Sequence, residues 1–70
     1  MPSALEPLLT TFLIDVTFFS GDDQFAVQSY VVETSNWYRA EQQALQLSGA
    51  SVYDDPRIPG LRRTAVARPV

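Results

Sequence analysis

The sequence predicts a small α+β domain of ββαβ order, with a three-stranded antiparallel or mixed sheet and one helix on one face. Three observations carry that prediction. Residues 11–19 read Thr-Phe-Leu-Ile-Asp-Val-Thr-Phe-Phe, rich in β-branched and aromatic residues, with a second such run at 25–34. Residues 36–48 are dominated by helix formers and end at Gly49. A third alternating run occupies 61–68.

The first run has one wholly apolar face, Phe12, Ile14, Val16 and Phe18. Its other face, with Thr11, Leu13, Asp15, Thr17 and Phe19, is mixed. Ser20-Gly21-Asp22-Asp23 is a turn, because Gly tolerates positive φ and Asp side chains bond nearby backbone. It predicts a hairpin loop of about four to five residues. The inward face of the second run is open on sequence alone. Phe25, Val27 and Val31 compete with Ala26, Tyr30 and Val32, and a bulge would reconcile them.

Ser35, or its neighbour Thr34, is the expected helix N-cap. Trp37, Ala40, Ala44 and Leu47 recur at helical spacing and predict the buried stripe, with Ala40 and Ala44 allowing close approach to a sheet. Gly49 is expected to end the helix in the left-handed conformation. Pro69 closes the third strand or marks it as an edge. A right-handed crossover through the helix sets strand three parallel to strand two, with strand one between and antiparallel to both. Leu13 and Phe19 then lie on an open sheet face, unless residues 1–10, an N-terminal arm with Leu5, Leu8 and Leu9, fold across it. The domain proper is residues 11–70.

The chain has 70 residues, no Cys, no His and no Lys. Disulfide and zinc staples are excluded, so stability falls to the core, to oligomerisation or to a partner. The same absences remove the side chains that titrate near neutrality and those that form Schiff bases, which argues against an enzyme. Asp22-Asp23 and Asp54-Asp55 are the acid pairs. One dipeptide offers too few convergent oxygens for a metal, so no metal and no cofactor is expected. Asp22-Asp23 reads as a solvated turn, and Asp54-Asp55 as a loop that binds its own amides or pairs with Arg57. The N-terminus lacks a positive n-region and a long apolar run, so neither signal peptide nor membrane span is expected and the cytoplasm is the default compartment.

Charge is polarised along the chain. Residues 1–34 hold Glu6, Asp15, Asp22, Asp23 and Glu33 without a base, whereas residues 57–70 hold Arg57, Arg62, Arg63 and Arg68 without an acid. Either the acidic and basic strands neutralise each other as neighbours, or the dipole orients a partner. Between the halves lies Tyr53-Asp54-Asp55-Pro56-Arg57-Ile58-Pro59-Gly60-Leu61-Arg62-Arg63, dense for a mere connection and stiffened by two prolines. Aromatics and Arg are favoured interface anchors, which makes Tyr38, Tyr53, Arg57, Ile58, Leu61, Arg62 and Arg63 the candidate partner-binding set. The alternative is that Ile58 and Leu61 cap the protein's own core. Direct nucleic-acid binding by the Arg set is disfavoured by a net charge of −3.

The two β-rich runs and helix, followed by Tyr53-Asp54-Asp55-Pro56-Arg57-Ile58-Pro59 and an Arg-Thr strand, resemble small uncharacterised bacteriophage proteins of the actinobacterial-phage type. The resemblance spans residues 11–68 and attaches no activity to any residue. It implies an accessory protein made in the bacterial cytoplasm that binds and modulates a host protein. A small homo-oligomer or virion component is the alternative expectation, and an anion or nucleic-acid binder a third.

Overall fold

A computed structural model describes residues 9–69. Within them the order is β1 (Thr10–Ser20), β2 (Asp23–Thr34), α1 (Trp37–Ser48) and β3 (Leu61–Pro69), the predicted ββαβ order. The strands form one sheet in the order β2-β1-β3, with both pairings antiparallel. β1 is therefore central and β3 runs parallel to β2 without touching it. The expected arm at 1–10 falls mostly on residues 1–8, outside the described residues, while Thr10 already belongs to β1.

The core grows from the even face of β1. Ile14, Val16 and Phe18 are fully buried and Phe12 nearly so, each contributing about 1.5–3 kcal/mol of burial. Val32 of β2 and Ala40 and Ala44 of α1 complete the buried set, with Ala26, Tyr30, Leu45, Leu61, Ala65 and Ala67 packed around it. A register shift opposite Phe18 and Phe19 settles the ambiguity of β2. Ala26, Tyr30 and Val32 face the helix, while the bulge swings Phe25 onto Phe18, with ring centroids 6.2 Å apart.

The hairpin is tighter than the sequence suggests. Ser20 pairs directly with Asp23, leaving a two-residue loop, Gly21-Asp22, instead of four to five residues. Gly21 has φ 61° and Asp22 does not have positive φ, the pattern of a type II′ turn. The bulge absorbs the extra residue that the longer loop was expected to hold.

Three helix expectations are corrected. The N-cap is Asn36, whose Oδ1 accepts from the Arg39 amide at 2.8 Å, and neither Ser35 nor Thr34 takes that role. Gly49 stays right-handed at φ −62°, and its amide reaches back to the carbonyls of Gln46 and Leu47. Trp37 is 58% exposed and Leu47 is exposed too, so the buried face is Ala40, Ala44 and Ser48, flanked by Glu41 and Leu45. Helical side chains lean toward the N-terminus, so a first-turn Trp reaches past the end of the packed interface. Leu47 lies on the flank away from Leu45.

The hairpin turn is also tied to the loop entering β3. Gly21 N donates to Gly60 O at 2.9 Å and Ser20 Oγ donates to Pro59 O at 2.6 Å. Gly60, at φ 64°, lies so close that a Cβ there would sit 2.9 Å from Gly21 N. Gly21 itself has open space around it. Gly21→Ala should therefore cost about 1–2 kcal/mol from the left-handed backbone alone. Gly60→Ala should cost more, because the clash with backbone adds to the strain. Chemical denaturation of both variants checks the order.

Candidate functional site

The residues expected to bind a partner separate into three environments. Tyr38 is exposed in the first turn of α1, edge-on to Trp37 at 6.0 Å between ring centroids. That turn follows the Thr34 end of β2, whereas the 53–63 loop packs at the hairpin end, so Tyr38 and the loop do not form one surface. Most of the loop is engaged with its own chain. Tyr53 stacks on Phe18 and Phe25, with centroids 5.5 and 6.3 Å away. The Tyr53 amide donates to Ser51 Oγ at 3.2 Å, and Ser51 Oγ donates to Gln28 Oε1 at 2.6 Å. Leu61 packs against the core, as the capping alternative expected, and Ile58 is half-buried with its amide bonded to Asp55 O.

Arg63 departs furthest from expectation. It points to the helix side of β3, where its Nη1 donates to Ser48 Oγ at 2.9 Å and to Leu45 O at 3.4 Å and lies 3.8 Å from Asp54 Oδ2. The last turn of α1 carries no basic residue of its own. Arg63 thus supplies from a neighbouring strand the cation that a helix C-terminus favours. It is a structural residue, and the sequence signal that could have found it is its even-face partner, Phe18.

Arg57 and Asp55 form a local clamp. Asp55 Oδ1 accepts from the Arg57 amide at 2.9 Å, and Asp55 Oδ2 accepts from Arg57 Nη2 at 2.8 Å. The guanidinium first, and then the amide, hold the Asp55 carboxyl below the ordinary carboxylate range, and the pair raises Arg57 in return. A depressed carboxyl pKa stabilises the folded state at neutral pH, and that contribution is lost as pH falls through the folded value. With the Arg57 side chain 88% exposed, solvent screens the pair and the effect on stability is small.

Arg62 and Arg68 lie on the opposite, helix-free face. Arg62 covers the Phe19 ring at 4.7 Å and its Nη2 donates to Gly21 O at 3.3 Å. Arg68 pairs with Asp15 at 3.4 Å, and Asp15 also accepts from Ser29 Oγ at 2.8 Å. Leu13 and Phe19 are on this face as expected, though both are half-buried. The exposed apolar residues there are Val27 at 49%, Val31 at 69% and Val66 at 64%; on sequence alone Val27 and Val31 are candidates for the inward face, and Val66 is not singled out. Alternation places them on it once the register of β2 is known: Val31 pairs with Leu13, Val27 with Thr17 and Val66 with Asp15. The face is therefore a band of valines and Leu13 interrupted by Thr17, Ser29, Thr64 and a neutral ion pair.

Among the described residues there is no cluster of three or more His, Cys, Asp or Glu placed to hold a metal, no pocket, and no helix long and apolar enough to cross a membrane. The chain matches no protein-family model, no curated protein and no solved structure.

Arg63→Ala should lower stability by about 1–3 kcal/mol, since it strips a partner from buried Ser48 and the helix end. Arg57→Ala should leave the melting temperature nearly unchanged. In that variant the Asp55 carboxyl should titrate at higher pH than in the parent chain, which NMR of the side-chain carboxyl reads directly.

Proposed function

We propose that this chain is a non-enzymatic interaction protein that binds another protein through its open sheet face. The observation that carries the reading is the exposure of Val27, Val31 and Val66 beside Leu13, on a face that no helix of the described residues covers. Exposed apolar side chains gathered on one sheet face, with polar groups set among them, suit a contact surface. The charged groups of this face are Arg62, Glu33 and the Asp15–Arg68 pair, two of each sign. This composition suits a protein partner with mixed apolar and polar surface.

The resemblance to small bacteriophage proteins gives the context: an accessory protein in the bacterial cytoplasm whose partner is a host protein that it modulates. The 53–63 loop loses ground as the contact site, because Tyr53, Leu61 and Arg63 engage their side chains inside the fold. The nucleic-acid reading loses ground for a similar reason. Arg57, Arg62, Arg63 and Arg68 each meet a carboxylate, carbonyl or ring of their own chain.

A pull-down from nuclease-treated bacterial lysate tests the site. The tagged parent chain, Val66→Glu and Arg57→Ala are compared, with bands identified by mass spectrometry and folding checked by circular dichroism. One stoichiometric host protein should be captured by the parent and by Arg57→Ala and lost with folded Val66→Glu. Capture by Val66→Glu but not by Arg57→Ala would move the contact to the loop, and capture of no protein by the parent would end the reading.

A further inference from the structure

The two edges of the sheet are treated differently. The outward amide of Ala67 on β3 is satisfied by Glu41 Oε2 of α1 at 3.0 Å, and the strand ends at Pro69. A side-chain acceptor, a terminal proline and the arginines at 62, 63 and 68 are the usual means of blunting an edge. β2, the other edge, is 12 residues long and contains no Pro, Lys or Arg. Its stretch from Gln24 to Val32 is uncharged.

The backbone groups that this edge presents follow from the ladder. Gly21 N bonds Gly60 O and Ala67 N points away from β1, so the odd residues of β1 face β3 and its even residues face β2. Even residues of β1 pair with even residues of β2, from Phe12 with Val32 to Phe18 with Ala26. The N–H and C=O groups of Val27, Ser29 and Val31 are thus directed to the outer edge. The side chains of these same residues stand on the open sheet face.

We infer that the β2 edge is a self-complementary docking surface for a second copy of this chain, paired antiparallel about a two-fold axis at Ser29. A two-fold normal to the sheet must pair residues of one face with residues of the same face, so the centre falls on a single residue. Centred on Ser29, Val27 of each copy meets Val31 of the other, and Ser29 meets Ser29. All three pairs are drawn from the edge-directed set, so each pair exchanges two main-chain hydrogen bonds. The neighbouring registers fail on the same residues. Centring on Gln28 sets Val27 against Ser29 and brings Val31 opposite the bulge at Phe25, so no valine meets a valine. Centring on Tyr30 sets Val27 against Glu33. The Ser29 register alone pairs both Val27 and Val31 of each copy with valine, where centring on Val27 or Val31 pairs only one of them, and apolar β-branched pairs are favoured across strands. The product is a continuous six-stranded sheet with both helices on one side. It also joins the two valine bands into one face, so the inference goes beyond the proposed partner binding and stands without it.

Sedimentation equilibrium of the purified full chain over a wide concentration range tests this apart from any host partner. The parent should show a reversible monomer–dimer equilibrium. Val27→Lys combined with Val31→Lys sets like charges opposite one another twice and should weaken dimerisation by about tenfold or more. Val27→Lys combined with Val31→Glu sets opposite charges in the same two places and should restore it. Within one copy positions 27 and 31 lie four residues apart, but residue 31 has Glu33 and Asp15 on its own face, so the denaturation of each monomer is measured alongside. A parent that stays monomeric throughout, or equal weakening in both double variants, overturns the proposal. Should both double variants fail to fold, Ser29→Cys in this cysteine-free chain gives an independent reading. Paired antiparallel residues lie about 5.5 Å apart at Cα, within disulfide reach. Ser29→Cys should form a covalent dimer under mild oxidation much faster than Thr64→Cys on the open face of β3. Equal rates overturn the register.

Discussion

The fold rests on β1, the strand that among the described residues is paired on both sides and whose even residues form an unbroken apolar face. Phe12, Ile14, Val16 and Phe18 are the floor on which every other element packs. With no disulfide or metal available, a chain of this size holds together only if that floor is completely covered. The covering is done by small residues, Ala40 and Ala44, because the large side chains already rise from the sheet and leave little height beneath the helix.

Coverage is completed at the hairpin end by the loop. α1 ends near the Phe18 level, where Arg63 grips its final turn, and Tyr53 then closes over Phe18 and Phe25. That closure shapes the Pro- and Asp-rich stretch. The Asp55–Arg57 clamp turns the chain, and Gly60 lets it pass against Gly21. A segment that looks dense enough to recognise a partner is dense because it must reverse direction, cap a helix and lid an aromatic cluster within one short connection.

Element order, the antiparallel sheet and the apolar face of β1 were legible in the sequence because they depend on period and turn chemistry. What was not legible depended on register. A bulge in β2 and a two-residue turn occupy the same number of residues as a regular strand and a longer loop, so the composition of residues 20–26 does not distinguish them. The valines at 27 and 31 joined Val66 as one surface only when the register of β2 fixed the face they occupy. The stripe from Trp37 to Leu47 had nearly the right phase on the helix but ran past the interface at one end and off its flank at the other. Ser48 and Arg63 escaped notice because a polar contact between a helix end and a strand 15 residues later leaves no local pattern.

The charge split that dominates the sequence dissolves in three dimensions. β3 lies beside β1, so Arg68 meets Asp15, while Arg62 meets Phe19 and a turn carbonyl and Arg63 meets a helix terminus. Those arginines are concentrated at the C-terminal end because β3 must be protected as an edge and joined to the rest of the molecule. β2 faces the same exposure and has none of them. Its unblunted centre, from Val27 to Val31, is where the self-protecting logic of the rest of the sheet stops. This chain elsewhere satisfies even a single edge amide with Glu41. A strand whose centre is uncharged and left unpaired by the described residues is best understood as one closed by something of matching sequence, and β2 matches itself about Ser29.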